Sequence, residues 1–106
     1  MTEPPQPEFA PEVLLRLFVT GTSQRSLRAI EGVQGMCKEI LGNGVRLEVI
    51  DVIERPEEAE REKILATPTL IRQLPAPPRR LVGDMAEAER LIQLLGLKHL
   101  IRPGKV

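Results

Sequence analysis

The stretch Ile64-Leu65-Ala66-Thr67-Pro68-Thr69-Leu70 joins an acidic segment of helical character to an apolar segment of strand character. Proline fixes φ and has no backbone N–H, so within a sheet it is confined to an edge, a strand start or a bulge. It also pushes the residue before it, Thr67, out of the helical region. Pro68 therefore closes a helix-bearing segment and opens a strand. A cis Thr67–Pro68 bond would be a slow, specific feature of the fold.

Downstream, Thr69 to Leu74 suits a third strand. Pro75-Ala76-Pro77-Pro78 must break it, and Arg79 to Val82 follows as a short fourth strand, hairpinned to the third. Gly83 and Asp84 lead into a last helix. Asp84 is its expected N-cap and Glu87 its third helical position, a capping box with Asp in place of Ser or Thr. Leu91, Ile92, Leu94, Leu95 and Leu97 form its apolar side, and Arg102-Pro103-Gly104 ends order.

Upstream, Arg55-Pro56-Glu57-Glu58 opens a helix, with proline tolerated at the first position and acids at the positive end of the dipole. Glu57 and Arg61 lie four apart and can pair, with slight gain at an exposed site. Only Ala59, Ile64 and Leu65 are apolar there, so this helix grips a core weakly. Val45 to Ile53 reads as a second strand. Before it, Leu27, Ile30, Val33, Cys37, Ile40 and Leu41 recur at three- and four-residue steps on one helix face. Ser23 is the expected cap of that helix, and Gly42-Asn43-Gly44 its stop. Val13 to Val19 is apolar except for Arg16, as suits a strand buried on both faces. Pro4, Pro5, Pro7 and Pro11 mark residues 1–11 as a disordered, proline-rich arm.

The order is βαβαββα, an α/β chain of thioredoxin-like arrangement: a right-handed βαβ half, then a helix, a hairpin and a closing helix. In that arrangement a proline before the third strand faces the N-terminal end of the first helix, and Pro68 holds that place. The expected division is an arm over 1–11, one domain over 12–101 and a flexible tail over 102–106.

A chain of 106 residues has room for one domain with one core. Its 15 basic and 15 acidic residues cancel, so no global field recruits nucleic acid or an acidic membrane. With no apolar leader at the N-terminus and a single cysteine, a cytoplasmic location is expected. Thioredoxin-like enzymes carry a reactive cysteine at the start of the first helix, where the dipole favours the thiolate. Here that stretch is Thr22-Ser23-Gln24-Arg25-Ser26, while Cys37 falls late on the apolar face as a small core residue. One histidine, His99, expected at an exposed helix end, leaves a triad or a His/Cys metal site without partners. Glu57, Glu58, Glu60 and Glu62 read as a solvated helix face rather than a metal site. Arg72, Arg79 and Arg80 read as ordinary basic surface. RNA recognition by base stacking needs aromatic residues on strands, and only Phe18 is placed there. No catalytic residue, metal or cofactor is therefore expected, and a protein-binding module remains.

Leu17-Phe18-Val19-Thr20-Gly21, Ser26-Leu27-Arg28-Ala29, Val49-Ile50-Asp51-Val52, Lys63-Ile64-Leu65-Ala66-Thr67-Pro68-Thr69-Leu70 and Leu81-Val82-Gly83-Asp84 resemble, in order and in spacing, the KaiB family of circadian clock proteins. The resemblance spans residues 13–97. It implies a non-enzymatic, fold-switching clock component. One form is a resting homotetramer or homodimer with the alternative order βαββααβ; the other is a thioredoxin-like monomer. The monomer binds the ATPase ring of a KaiC-type hexamer, competes there with a sensor kinase domain, and in cyanobacteria helps capture KaiA. The partner-binding residues implied are Arg25, Arg28, Arg46, Glu48 and Lys63. The switch and structural positions are Pro68, Pro75, Pro77, Pro78, Leu94 and Gly96, the prolines being candidate isomerisation switches.

The chain also departs from the family pattern. Thr22-Ser23-Gln24-Arg25 stands where the family has Asn-Thr-Pro-Asn, and Glu48 where the second strand carries a basic residue. Leu94-Leu95-Gly96 replaces Gly-Leu-Asp, which favours a continuous terminal helix and the thioredoxin-like state. These features suit a non-cyanobacterial homologue working with KaiC alone. A KaiB-like stress-response interaction module is the alternative reading, and a thioredoxin-like redox enzyme the third.

Overall fold

The computed structural model describes residues 12–83, 85 and 87–100. The predicted arm, the tail over 102–106 and the Asp84 cap lie outside the described residues.

β1 (Val13–Val19) runs through the middle of a four-stranded sheet of order β2-β1-β3-β4. Parallel β2 (Val45–Asp51) lies on one side of it and antiparallel β3 (Thr69–Leu74) on the other, with antiparallel β4 (Arg79–Val82) at the far edge. Side chains alternate across a strand, so β1 sends Val13, Leu15, Leu17 and Val19 to one face and Arg16 and Phe18 to the other. The first set joins Val33 and Met36 after α1 (Gln24–Gly35), and Leu91, Ile92, Leu95 and Leu97 from α3 (Ala88–Leu94) and the turn after it, in the main core. Phe18, Ile50 and Ile71 form a smaller second core, with Val52 and Ile64 packed against it. The order of strands and helices along the chain is the one the sequence implied, and a β1 closed in on both faces explains its apolar run.

The element ends show where local chemistry overrides pattern. Ser23 caps α1 as expected, its hydroxyl accepting from the Ser26 N–H at 3.2 Å. The helix then widens into a π-helical turn over Met36–Leu41 before Gly42, at φ 77°, stops it. Leu27 was expected on the buried face but is 47% exposed. β2 ends at Asp51 rather than at Ile53, because the Asp51 carboxylate accepts from the Ile53 N–H at 2.9 Å and turns the chain. The last helix begins only at Ala88, so Glu87 is its cap residue and not its third position, and the Glu87 side chain makes no capping hydrogen bond. Nor is it continuous through the C-terminal segment: it stops at Leu94, and Gly96 turns left-handed at φ 67° before a short 3-10 turn over Lys98–Leu100.

α2 (Pro56–Arg61) buries no residue. What holds it is Arg16, the one charged side chain of the central strand. Its guanidinium meets Glu58 at 2.7 Å, Glu62 at 3.2 Å and Glu48 of β2 at 3.2 Å, while lying 5.3 Å from the Phe18 ring centroid. The glutamates of this segment are thus only partly a solvated face: Glu58 and Glu62 turn inward. Glu58 also takes Arg55 at 3.4 Å and Arg61 at 3.3 Å, so Arg61 pairs three residues back and not with Glu57.

The Arg16 hydrogen bond holds the Glu58 carboxyl below its ordinary value of 4.5. A depressed folded value means stability that is present above the unfolded value and is lost as pH falls through the folded one. Arg16→Ala should lower unfolding free energy by about 1–3 kcal/mol at neutral pH, since it leaves three carboxylates facing one another without their cation. Urea titrations of both proteins across the acid range would show it, with the gap between them narrowing below the ordinary glutamate value. An unchanged gap would mean that Arg16 does not organise this face.

A Cβ on Gly96 would lie 3.2 Å from both Arg72 Nη1 and Arg79 Nη1, in a backbone conformation that side chains rarely adopt. Gly96→Ala should therefore cost about 1–2 kcal/mol, read from the thermal midpoint. A midpoint equal to wild type would show that the turn is not the stop for α3.

Candidate partner-binding site

Strand polarity brings the C-terminal ends of β1, β2 and β4 and the N-terminal end of β3 to one edge of the sheet. Side chains there interlock. The Asp51 carboxylate accepts from the Gly21 N–H at 3.2 Å, as well as from Ile53, and so ties the β1 exit to the β2 exit. Gly21 needs its left-handed φ of 51° for that approach. The buried Ser26 hydroxyl accepts from the Thr20 N–H at 3.0 Å and lies 2.9 Å from the Ser23 hydroxyl. The Thr20 and Thr67 hydroxyls bond to each other, joining the end of β1 to the residue before Pro68. The Pro68 carbonyl accepts from the Gly83 N–H at 3.3 Å.

This framework opens a cleft of about 290 Å³ lined by Arg25, Arg28, Pro68, Gly83 and Met85. Pro68 faces the first helix across it, as the sequence implied. Pro68, Pro75 and Pro77 follow cis bonds. Around this end stand exposed apolar side chains, Leu65 at 97%, Ile53 at 67% and Val82 at 60%.

Of the five residues implied as partner contacts, Arg25 and Arg28 come together at this cleft. Arg46 and Glu48 lie elsewhere, on edge strand β2, facing the side of the sheet that α2 covers; Arg46 Nε sits 3.7 Å from a Glu48 oxygen that also belongs to the Arg16 cluster. Lys63 lies beyond α2 at φ 55°, exposed, with its carbonyl accepting from Arg80 at 3.3 Å. The five thus divide between two faces.

The arginines of the hairpin are not ordinary basic surface. Arg72, 7% exposed, donates to the Leu95 carbonyl and to the Pro77 carbonyl at 2.6 Å. Arg79 donates to the Leu94 carbonyl at 3.1 Å, and Arg80 to the Glu62 carbonyl at 2.8 Å. They tie the ends of α3 and α2 to the hairpin, a role that spacing alone does not reveal. The Leu94 and Leu95 carbonyls are accordingly the anchor points of this clamp, and Gly96 lies against its guanidinium groups.

The cleft offers two guanidinium groups beside apolar walls and no thiol. Thr22, Ser23 and Gln24 occupy the start of α1, and the cysteine is remote. Cys37 is half-buried against the main core, and burial pushes its thiol up to about 11. His99 is exposed in the last 3-10 turn. Among the described residues no cluster of His, Cys, Asp or Glu can hold a metal ion, and no helix is long and apolar enough to cross a membrane. Cys37 should react slowly with iodoacetamide near neutral pH in the folded protein and readily in denaturant. Fast labelling of the native chain would reopen a redox reading.

Fold and site together define a thioredoxin-like domain whose helix-start position carries arginine rather than thiol. Comparison with known proteins narrows the class. The KaiB domain family model matches residues 16–97. Circadian clock protein KaiB3 of Synechocystis sp. is 51% identical over 85 residues, 80% of this chain and 81% of that protein. Circadian clock oscillator protein KaiB of Microcystis aeruginosa is 39% identical over 89 residues, 84% of each. The solution structure of the N-terminal domain of Synechococcus elongatus SasA is similar at a TM-score of 0.66 and 27% identity, covering 92% of this chain and 95% of that one. Chloroplastic thioredoxin z shares the fold at a TM-score of 0.67 and 21% identity, covering 79% and 75%. The chain belongs to the KaiB family of circadian clock proteins.

Proposed function

We propose that this protein is a non-enzymatic clock or timer component that binds the ATPase ring of a KaiC-type hexamer and modulates its phosphorylation and ATPase cycle. The observation that carries the reading is the shared shape. A KaiB-family chain here takes the same thioredoxin-like fold as the SasA N-terminal domain, over nearly the whole of both. Two chains of one shape are suited to compete for one surface, which supports a sensor kinase as the rival. The exposed Leu65, Ile53 and Val82 beside an arginine-lined cleft have the mixed apolar and cationic make-up of a protein interface. Arg46, Glu48 and Lys63 are proposed as secondary contacts on the opposite face.

Fold switching belongs to the same proposal. In this reading Pro68, Pro75, Pro77, Pro78, Leu94 and Gly96 mark the segment that repacks, and the resting form is a homotetramer or homodimer. Support comes from α2, which buries no residue, and from a C-terminal half tied down by a few arginine–carbonyl bonds. The proposed setting is the cytoplasm, with no cofactor. A KaiB-like stress-response module using the same surface for another partner is the second reading, to which Glu48, in place of the family's basic residue, lends support.

Size-exclusion chromatography of the full chain, with and without a KaiC-type hexamer and ATP, tests this. Co-elution of a monomer with the ring is expected. A larger free form that converts to the bound monomer would establish the switch, whereas a free monomer that binds at once would make the thioredoxin-like fold the resting fold. Absence of co-elution in every nucleotide state would overturn the hexamer as partner in favour of the stress module.

A further inference from the structure

We infer that the cleft between α1 and the β3–β4 hairpin is a socket for an acidic segment of the protein partner, with Arg25 and Arg28 receiving its carboxylates and Arg25 setting how acidic that segment must be. The inference rests on the proposed role as a protein-binding module and adds the partner's chemistry.

Arg25 and Arg28 are three apart on α1, hence neighbours on one helix face, and both line the same cleft. Both are exposed, and among the described residues neither has a carboxylate within ion-pair distance. The sheet arginines differ. Arg16 is held by three glutamates, Arg46 by Glu48, and Arg72, Arg79 and Arg80 by backbone carbonyls. Among the described residues three arginines have neither a carboxylate nor a carbonyl partner, Arg25, Arg28 and Arg90, and two of the three share the cleft.

The helix sharpens this. The first turn of α1 carries no acidic residue, and Arg25 sits within that turn, where the macrodipole already places positive potential. Cation and dipole repel in the isolated domain, and an incoming carboxylate relieves both at once. Asp84, between Gly83 and Met85, lies outside the described residues.

The surroundings select a protein over other anions. Met85 and Pro68 give the cleft apolar walls, and Leu27, 47% exposed, stands between the two arginines in sequence. Arginine beside apolar surface is the make-up of interface hot spots. Nucleic acid would need stacking aromatics or a broad basic field; the chain has two phenylalanines, no other aromatic of that kind, and a formal charge of zero. The fitting occupant is an extended segment with acidic residues next to an apolar one.

The test has two arms, both on the full chain. In the first, affinity for a KaiC-type hexamer is measured for wild type, Arg25→Asn, Arg28→Glu and, away from the cleft on α3, Arg90→Glu, each checked by circular dichroism. Arg25→Asn should weaken binding about fivefold and Arg28→Glu about tenfold or more, with Arg90→Glu within about twofold of wild type. Wild-type affinity should also fall more steeply with salt than that of Arg25→Asn. Cleft variants that bind like wild type would overturn the socket while leaving the hexamer as partner. In the second arm, amide NMR shifts are followed during titration with a Glu/Leu peptide, its Gln/Leu analogue and inorganic phosphate. Shifts at Arg25, Arg28 and Gly83 with the acidic peptide alone support the socket even if the hexamer fails to bind. Shifts elsewhere, equal shifts with the Gln peptide, or tighter saturation by phosphate would overturn it.

Discussion

Arg16 is the constraint on which the two faces of this domain depend. A cation in the central strand has to be satisfied or it destabilises the sheet. Here Glu48, Glu58 and Glu62 converge on it while Phe18 flanks its guanidinium. The consequence is architectural. With no buried residue of its own, α2 is placed by carboxylates and not by an apolar stripe, and Ile64 just beyond it then reaches the Phe18 cluster. The opposite face is built otherwise, by aliphatic packing of α1 and α3 onto Leu15, Leu17 and Leu70. One face is held by dispersion and burial, the other largely by charge.

The C-terminal half continues the theme. The hairpin arginines reach over both faces in alternation: Arg72 and Arg79 pair across the strands toward α3, and Arg80, paired with Ile71, reaches toward the end of α2. They bond carbonyls that a helix end leaves without intrahelical partners. Such bonds are directional and few. Among the described residues the buried Nε of Arg72 has no partner, so this clamp is satisfied in part only. Replacing broad apolar contact by a few oriented bonds makes a segment cooperative: its bonds hold together and release together. That property suits the proposed repacking better than a fully interdigitated core would.

Much of this was legible in the residues. The bounds of β1, β3 and β4, the Ser23 cap, the stop at Gly42 and the place of Pro68 opposite the first helix follow from run length, turn chemistry and the loss of a donor at proline. What stayed hidden depended on partners distant in sequence. Arg16 appears only as an exception in an apolar run, because its three carboxylates lie more than thirty residues away. Leu27 fits the helical period, yet the arc of α1 that packs is narrower than the arc that is apolar. Arg72 looks like surface until α3 folds over it. At the last helix, the Asp84 and Glu87 spacing suggested a capping box, but Glu87 itself takes the cap position of a helix that begins at Ala88. At the site, Arg25 and Arg28 were named from the family resemblance, whereas the cleft they line required Gly83 and Met85 from the other end of the chain.

The scaffold suits a thioredoxin-like fold to the recognition role proposed for it. At the start of α1, Ser23 and Ser26 satisfy the helix end and bind the β1 exit, the work of a structural cap. The first turn of α1, where a thiolate would use the dipole, carries Arg25 and no acidic residue, so the positive potential there is added to rather than neutralised. On the far side of the sheet, glutamates cancel the arginines almost one for one. Among the described residues Arg25 and Arg28 stand without a carboxylate partner at this end of the sheet, near Leu65 and Val82 and beside Pro68. Segregating charge at constant net charge would orient the proposed partner without general stickiness, because the field of two guanidinium groups is screened over short distances.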